Sequence, residues 1–456
     1  RHTRYISVTG VQTCALPILL NYFNTTGEAF VTAGGTCSYY DDRQGNHITD
    51  NVCDPNGPRG AATAASFARQ QAKIVAAINA LGADIVSLEE IENSVKLGEN
   101  DRDDALRSLV QALNAAAGSD VWAYVPSPSA DALPDLAEQD VIRTGFIYKP
   151  AAVTTVGTST VLVGSAPFAN AREPLAQVFK RVGTPDSAAF AVIVNHFKSK
   201  GGTGTGDNAD AGDGAGSFNG DRTRQAQALV GFAHDVAVAH GVEKVLLTGD
   251  FNSYTQEDPM RVLYDAGYTA VVSPGESTYS YGGLSGSLDH VLANDAAGAD
   301  ITGADIWNIN SGESVAFEYS RYNYNATDFY APNAYRASDH DPEIVGLAEP
   351  LPDPSVPAVD PTITPQRPVV GRTVTAHVEA PAVDGVTWTY QWQSIGASGV
   401  ATDIAGATSK TYRVPGSLAG RRLRVVVTYT APGYQPSTAS ATTVAVARGK
   451  LEQIGR

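Results

Sequence analysis

The segment VLLTGDFNSY (Val245–Tyr254) joins an apolar run directly to polar groups that can hold metals or phosphates. The apolar run predicts a short buried strand over Lys244–Thr248. Asp250 and Asn252 follow that strand at once. Taken alone, GDFN is also compatible with a turn in which an Asx side chain bonds its own backbone. The interpretation therefore depends on whether other segments have the same design.

Four more segments place a metal- or proton-handling side chain at an end of an apolar strand. They are DIVSLEEIEN with Glu90, VIVNHFKSKGG with Asn195 and His196, GSLDHVLAN with Asp289 and His290, and ASDHDPEIVGL with Asp339, His340 and Asp341. Each has an ordinary structural alternative, such as a solvated or helix-capping carboxylate. The first two motifs and GDFN follow their strands, and the last two precede or open theirs. If the two groups of strands run antiparallel, we expect all five motifs at one edge of one sheet.

These residue types suit hydrolysis of a phosphodiester, which places extra charge on the non-bridging oxygens in the transition state. A hard divalent cation held by carboxylates neutralises that charge. A histidine oriented by an aspartate suits the activation of water. The sequence has no Cys/His cluster with zinc spacing, so a zinc site is not indicated.

Length and composition limit the class of protein. The 456 residues are about three times a typical domain, which predicts two or three domains. With 43% hydrophobic and 18% charged residues the chain is globular, and no apolar stretch is long enough for an integral membrane segment. The formal net charge of -16 disfavours a passive nucleic-acid coat protein, which needs many cations, but allows an enzyme that approaches phosphates through metal ions.

Periodicity predicts helices and strands in mixed order. The helices are expected over 62–81, 104–113 and 223–238, and the strands over 83–88, 145–148, 188–195, 244–248, 288–293 and 344–347. This mixture favours a layered α/β or α+β fold with a partly antiparallel sheet. A dinucleotide-binding fold is disfavoured because no GxGxxG follows the first strand.

The composition changes at Glu349. Seven prolines within Glu349–Pro368 predict an extended linker. Short alternating segments then predict a small β-sandwich with Trp392 as its core tryptophan. We therefore expect residues 349–368 to form the linker, 369–447 the sandwich and 448–456 a tail. The first residues, 1–18, resemble translated adapter sequence and are interpreted as non-native, which leaves 19–348 for the catalytic domain.

Two cysteines lie in one polar loop. Cys37 and Cys53 fit a disulfide formed in an oxidising compartment, and two free thiols are the alternative.

In order, the motifs LEE, NHFKSK, GDFN, LDHV and SDHDP resemble those of the endonuclease/exonuclease/phosphatase superfamily. The segments LNYF, RQQAKIVAAI, EIEN and IRTGFIYKP are similar to its secreted bacterial nuclease branch. The resemblance covers roughly residues 19–348. It implies a four-layered α/β sandwich, here followed by an immunoglobulin-like β-sandwich, and Mg²⁺-dependent hydrolysis of DNA or RNA, with Ca²⁺ and Mn²⁺ as alternative ions.

The resemblance also implies roles for individual residues. Glu90 and Asp339 match metal ligands, and His196 matches the histidine that bonds phosphate or protonates the leaving group. Asp250 and Asn252 match a pair that binds phosphate, activates water or holds a second metal. Asp289 matches the residue that orients the general base, and His340 matches that base. For His290, support of the site is as reasonable as a part in the chemistry.

The sequence departs from the family at one metal ligand. The family has an asparagine just before LNYF, and that position falls at or near Ile18. We therefore expect a truncated first strand, weak metal affinity and low activity.

Substrate contacts are expected from cations beside the motifs, with ordinary surface charge as the alternative. Arg172 suits a phosphate best because its guanidinium can bond two oxygens, and Lys198 and Arg143 are further candidates. The leading hypothesis is a secreted bacterial nuclease, located outside the cell or at its surface, whose C-terminal sandwich attaches it to a surface or ligand. The alternatives are a phosphodiesterase or phosphatase acting on lipid or inositol phosphates and a non-catalytic adhesion protein.

Overall fold

The computed structural model describes residues 12–16, 18–271, 273, 275–348, 355–396, 398–431 and 434–449. The chain divides into two compact units, Arg1–Pro350 and Leu351–Arg456. None of the described helices combines the length and the apolar character needed to cross a bilayer.

The first unit contains the helices and most of the strands. Its helices are α1 (Gly27–Thr32), α2 (Ala64–Leu81), α3 (Asp104–Ala117), α4 (Asn219–His240), α5 (Asp258–Asp265) and α6 (Asp295–Gly298). Its strands are β1 (Gln12–Leu16), β2 (Ile18–Tyr22), β3 (Thr36–Asp41), β4 (His47–Asp54), β5 (Ile85–Glu92), β6 (Ala123–Tyr124), β7 (Ile142–Tyr148), β8 (Val153–Val161), β9 (Arg172–Arg181), β10 (Phe190–His196), β11 (Lys244–Asp250), β12 (Tyr268–Val271), β13 (Tyr279–Tyr281), β14 (Leu284–Gly286), β15 (Asp289–Asn294), β16 (Ile301–Ile306) and β17 (Glu343–Leu347).

Two large mixed sheets form the body of this unit. The first sheet has the order β16-β17-β1-β5-β7-β6, with β2 paired to β5. The second sheet has the order β12-β15-β11-β10-β9-β8. Two hairpins, β3-β4 and β13-β14, are separate from both sheets.

Alternating side chains bury both faces of the second sheet. Along β10, Phe190, Val192 and Val194 belong to the core shared with the first sheet, whereas Ala191 and Ile193 pack in the core that contains α4 and α5. This period of two is the expected geometry of a strand that is buried on both sides. Helices α2 and α3 cover the outer face of the first sheet in the same way. The order helix–sheet–sheet–helix gives the predicted four-layered α/β fold.

Helix α2 shows how the local sequence sets these layers. Thr63 caps its N-terminus by accepting a hydrogen bond from the Ser66 N–H, and Gly82 ends it in the left-handed conformation at φ 74°. Ile74 and Ile78, four residues apart on one face, are buried against the first sheet. The predicted helix over 62–81 is confirmed within two residues.

The first strand position is filled. Gln12–Leu16 pairs antiparallel with β17 and parallel with β5, so the expected truncation leaves no gap in the first sheet. Ile18 begins β2 and its backbone pairs with Glu89. Residues 1–11 and 17 of the predicted non-native segment lie outside the described residues.

The second unit is all β. Its strands are β18 (Thr362–Thr364), β19 (Thr373–His377), β20 (Thr387–Ile395), β21 (Ala401–Asp403), β22 (Thr411–Arg413), β23 (Arg422–Thr430) and β24 (Ser437–Ala445). They form sheets of order β18-β19-β22 and β21-β20-β23-β24, which share one core around the fully buried Trp392. The linker predicted over 349–368 is too long, because Val356 lies in this core and Thr362–Thr364 pairs with β19. Residues 349–354 and 450–456 lie outside the described residues.

Candidate active site

One row of the second sheet carries four of the predicted site residues. Arg172 on β9 is the register partner of His196 on β10, and His196 is the partner of Asp250 on β11. Asp250 in turn pairs with Asp289, the first residue of β15. Because neighbouring strands lie about 4.8 Å apart, the four residues are placed side by side at one end of the sheet.

The remaining motifs belong to the first sheet, so the expectation of one edge of one sheet is wrong. Glu90 lies on β5, and Asp339 and His340 lie just before β17. The predicted antiparallel relation is correct, since β15 runs antiparallel to β11 and β17 runs antiparallel to β1, the parallel neighbour of β5. The five motifs therefore meet at one end of the sandwich because the two sheets stack. Strand pairing within a single sheet would not bring them together.

His340 and Asp289 form a buried pair across the two sheets. His340 Nδ1 and Asp289 Oδ2 lie 2.7 Å apart. Burial of His340 opposes its protonation, but the carboxylates of Asp289, Asp339 and Asp250 outweigh burial and raise its pKa well above the ordinary value. The ring of Tyr279 stacks on the imidazole with the centroids 4.4 Å apart. The imidazole is thus fixed by one hydrogen bond and one ring contact.

Asp250 and Asn252 are joined by two hydrogen bonds. The Asn252 backbone N–H and side-chain amide donate to Asp250 Oδ1 and Oδ2 at 2.6 and 2.9 Å. This geometry requires a left-handed backbone at Asn252, with φ 47°, which asparagine tolerates better than most residues. Burial, followed by repulsion from Asp289, raises the pKa of Asp250 to about 7.

His196 has the opposite protonation preference to His340. Its Nε2 lies 3.7 Å from Asp250 Oδ2. Burial and then the positive charges of Arg172 and His340 lower its pKa well below the ordinary value. His196 is therefore neutral near pH 7 and can donate one hydrogen bond without carrying charge.

Glu90 reaches the site because β5 is irregular. The pairing of β5 with β7 shifts register between Leu88 and Ile91, and Glu90 adopts φ 58°. Leu88 and Ile91 both face the helical core, so the extra residue turns Glu90 out of the normal alternation. Its Oε2 accepts a hydrogen bond of 3.0 Å from the Asn21 N–H. Burial and repulsion from Asp339 raise its pKa.

The carboxylates fit a hard divalent cation, which prefers oxygen ligands. Ligand atoms of Asp250, Asp289 and His340 all lie within 4.8 Å of one another. Asp289 Oδ1 and both carboxylate oxygens of Glu89 are buried with no hydrogen-bond partner in the described part of the chain. Glu90 and Asp339, the predicted metal ligands, flank this group rather than belong to it, and Asp339 Oδ2 lies 4.0 Å from His340 Nε2.

The three predicted substrate cations differ in placement. Arg172 lies in the row beside His196, and its Nε donates to Asp140 Oδ2 at 3.1 Å. The Lys198 ammonium lies 4.4 Å from the ring centre of Phe218. Arg143 is 4% exposed, and its Nη2 donates to Asp103 Oδ1 at 2.8 Å inside the fold. This buried ion pair disfavours Arg143 as a substrate contact.

Sequence reasoning missed two residues beside the row, Arg59 and Asp140. Arg59 donates to Asp140 Oδ1 at 2.9 Å, and its charge lowers the pKa of His196 after the larger effects of burial, Arg172 and His340. Asp140 lies two positions before β7, so the strand-end pattern used for the other motifs would have found it. Arg59, in the loop GPRG, carries no such signal.

Two further predictions concern supporting residues. His290 Nε2 lies 2.9 Å from the Ser253 carbonyl oxygen and the residue is buried, so it braces the segment after Asn252. Cys37 and Cys53 are joined in a disulfide that links β3 to β4, as predicted.

Comparison with known proteins agrees with this architecture. A sequence profile of the Endonuclease/Exonuclease/phosphatase family matches residues 46–340, which is more than half of the chain. No curated protein was found to match.

The chain is similar to several solved structures, at low sequence identity. An endonuclease/exonuclease/phosphatase family protein from Bacteroides thetaiotaomicron is 12% identical, with 75% of this chain and 98% of that chain covered and a TM-score of 0.44. Beta toxin from Staphylococcus aureus is 13% identical, with coverage of 74% and 100% and a TM-score of 0.43. The human Nocturnin catalytic domain is 11% identical, with coverage of 75% and 96% and a TM-score of 0.39. On the extent of the profile match, the chain belongs to the Endonuclease/Exonuclease/phosphatase family.

Proposed function

We propose that the protein is a divalent-metal-dependent nuclease that hydrolyses phosphodiester bonds of DNA, with RNA as an alternative substrate. The observation that carries this proposal is the side-by-side row Arg172, His196, Asp250 and Asp289, with His340 bonded to Asp289. Phosphodiester hydrolysis needs four kinds of group in one place: a cation, a neutral hydrogen-bond donor, carboxylates and a polarised base.

The base in this proposal is His340. Asp289 bonds Nδ1, which leaves Nε2 to take a proton from the attacking water, and the same aspartate stabilises the imidazolium that results. Tyr279 limits rotation of the ring, since it stacks on one face. The carboxylates that raise the pKa of His340 oppose the loss of its proton, and a cation that neutralises them would lower that pKa again.

The phosphate is held from the other side of the row. Arg172 places a positive charge beside His196, and neutral His196 can donate to a phosphate oxygen or to the leaving group. The Asn252 amide is already committed to Asp250 and to the Phe197 carbonyl oxygen at 2.9 and 3.1 Å. In this proposal Asn252 therefore fixes the orientation of Asp250 and does not contact the phosphate directly.

Asp250, Asp289, Glu90 and Asp339 would hold the cation. Mg²⁺ is the proposed ion, with Ca²⁺ and Mn²⁺ as alternatives, since all three accept oxygen ligands. When bound, such an ion supplies positive charge that stabilises the transition state and lowers the pKa of water. Burial and the repulsion from Asp289 raise the pKa of Asp250 to about 7, and a bound cation would offset both effects.

The proposed location is outside the cell or at its surface. The Cys37–Cys53 disulfide supports this, because disulfides persist in oxidising compartments. The all-β second unit would then act as an immunoglobulin-like attachment module.

The test is digestion of supercoiled plasmid, linear DNA and RNA by the full chain with Mg²⁺, Mn²⁺ or EDTA. Nicking of the circular plasmid that EDTA abolishes is the expected result. Asp250→Asn and His340→Ala should each reduce the rate at least a hundredfold, whereas Asp120→Asn, an exposed loop change, should not. Hydrolysis that survives EDTA, or that His340→Ala leaves near normal, contradicts the proposal. No hydrolysis of any phosphodiester would favour the adhesion hypothesis.

One observation favours a second candidate, a phosphodiesterase acting on lipids. The hairpin β13-β14 carries Tyr281 and Leu284, which are 73% and 76% exposed, and Tyr279 at its base stacks on His340. Exposed apolar side chains beside a site can touch a membrane surface. Release of phosphorylated headgroups from phospholipid vesicles, lost on Tyr281→Ser and Leu284→Ser together while plasmid is not cut, would establish this candidate instead.

A further inference from the structure

One carboxylate joins two arginines at the edge of the active-site row. Asp140 Oδ1 accepts from Arg59 Nη2 at 2.9 Å, and Oδ2 accepts from Arg172 Nε at 3.1 Å. The Val141 N–H also donates to Asp140 Oδ1 at 2.7 Å, which fixes the carboxylate just before β7. The two guanidinium groups are therefore held close together by one rigid anchor.

The backbone of Arg59 is also placed tightly. Gly60 lies so close to β2 that an added Cβ would come within 2.6 Å of the Asn21 carbonyl oxygen. Asn21 is the residue whose N–H bonds Glu90. The Gly57 N–H bonds the Cys53 carbonyl oxygen at 3.0 Å, so the loop is also anchored to the disulfide-linked hairpin. Arg59 is thus brought beside the site from a distant part of the chain.

A contribution to the stability of the fold explains the pairing of two arginines with Asp140 poorly. Two cations share one anion. Burial lowers the pKa of the Arg172 guanidinium, Asp140 and Glu90 oppose this, and the nearby charge of Arg59 adds a smaller lowering effect. Arg59 is 46% exposed at its side chain, and ion pairs in water contribute at most about 1 kcal/mol. Together, Arg59, Arg172 and Asp140 carry one net positive charge at the border of a site that is otherwise rich in carboxylates.

The two arginines also differ in depth. The Arg172 side chain is 15% exposed and borders His196, whereas Arg59 opens to solvent. Among the described residues, the guanidinium groups of Arg59 and Arg172 donate hydrogen bonds to Asp140 alone. Each retains N–H groups that can meet a phosphate oxygen.

We propose that Arg172 and Arg59, joined by Asp140, bind two consecutive phosphates of a polynucleotide, with Arg172 at the phosphate that is cut and Arg59 at its neighbour. This inference rests on the proposed nuclease function and specifies its substrate class. The protein then selects chains with at least two phosphates over compounds with a single phosphodiester. Asp140 acts as a positioning residue that fixes the spacing of the two cations.

The first experiment compares hydrolysis of a dinucleotide with one phosphodiester and a trinucleotide with two. Arg59→Gln should lower kcat/KM for the trinucleotide by about 5- to 30-fold more than for the dinucleotide, through KM rather than kcat. Arg59→Lys should recover part of this loss. Arg413→Gln is the matched control, since it removes one exposed positive charge from the second unit. Equal losses on both substrates, or no loss on the trinucleotide, would overturn the proposal.

A binding experiment separates this inference from catalysis. A fluorescent single-stranded oligonucleotide is titrated with the His340→Ala protein in EDTA, at several salt concentrations. Arg59→Gln should reduce the slope of log K against log salt by about 0.7, the contribution of one phosphate contact on a single strand. Arg413→Gln should leave the slope unchanged. If oligonucleotides bind with this slope change but the wild-type protein never cuts them in Mg²⁺ or Mn²⁺, the nuclease proposal fails and the two-phosphate site stands. If the slope is the same with and without Arg59, the two-phosphate site fails.

Discussion

Asp250→Asn should make the metal-free protein more stable at alkaline pH while it removes activity. Burial and the neighbouring Asp289 raise the folded-state pKa of Asp250 from 3.8 to about 7. The folded state therefore binds this proton more tightly than the unfolded chain does. Stability from that proton is fully present below about pH 4, falls as the pH rises, and is lost above about pH 7. A neutral amide at this position avoids the loss.

The size of the effect follows from the same shift. A difference of about 3 pKa units corresponds to about 4 kcal/mol. The amide cannot accept the second bond from the Asn252 side chain, and a lost hydrogen bond costs about 1 kcal/mol. We therefore expect Asp250→Asn to raise the free energy of unfolding by about 3 kcal/mol at pH 8 and by little at pH 4.

Calorimetry of the full chain in EDTA measures this difference. The second unit is unchanged, so its unfolding provides an internal reference. Asp120→Asn, an exposed loop substitution, should change stability by no more than about 0.5 kcal/mol. Mn²⁺ or Mg²⁺ should then stabilise the wild type and not the variant, because the ion binds the folded carboxylate site. An Asp250→Asn protein that is less stable in EDTA, or equally stabilised at pH 4 and pH 8, would refute the electrostatic account of this site.

Three other changes test separate parts of the molecule. Asp289→Asn should lower kcat by about 10²- to 10⁴-fold with a normal circular dichroism spectrum, since His340 loses its orienting carboxylate; a loss below tenfold would count against the pair. Cys37→Ser with Cys53→Ser should lower the free energy of unfolding by about 3 kcal/mol in urea titrations, given a loop closed over 16 residues, and no change would contradict this. Ile18→Asn should strengthen Mn²⁺ binding by about tenfold or more in electron paramagnetic resonance titrations, and unchanged affinity would dismiss the missing-ligand hypothesis.

The sequence by itself determined the elements and the chemistry that they carry. Apolar periodicity placed α2 within two residues, because its buried face repeats at helical spacing and its ends carry Thr63 and Gly82. The strand-end motifs predicted His196, Asp250, Asp289 and His340 as site residues, since strand ends are where polar groups leave a buried sheet. Loop cysteines predicted the disulfide for a similar local reason.

Only the tertiary structure decided how those motifs meet. Strand periodicity does not say which sheet a strand joins, so the division of the five motifs between two stacked sheets required the folded chain. The burial of Arg143 against Asp103 and the approach of Arg59 to Asp140 also depend on residues 40 and 81 positions apart. Contacts between residues so far apart in the sequence arise when whole layers pack together. Local sequence preferences therefore cannot predict them.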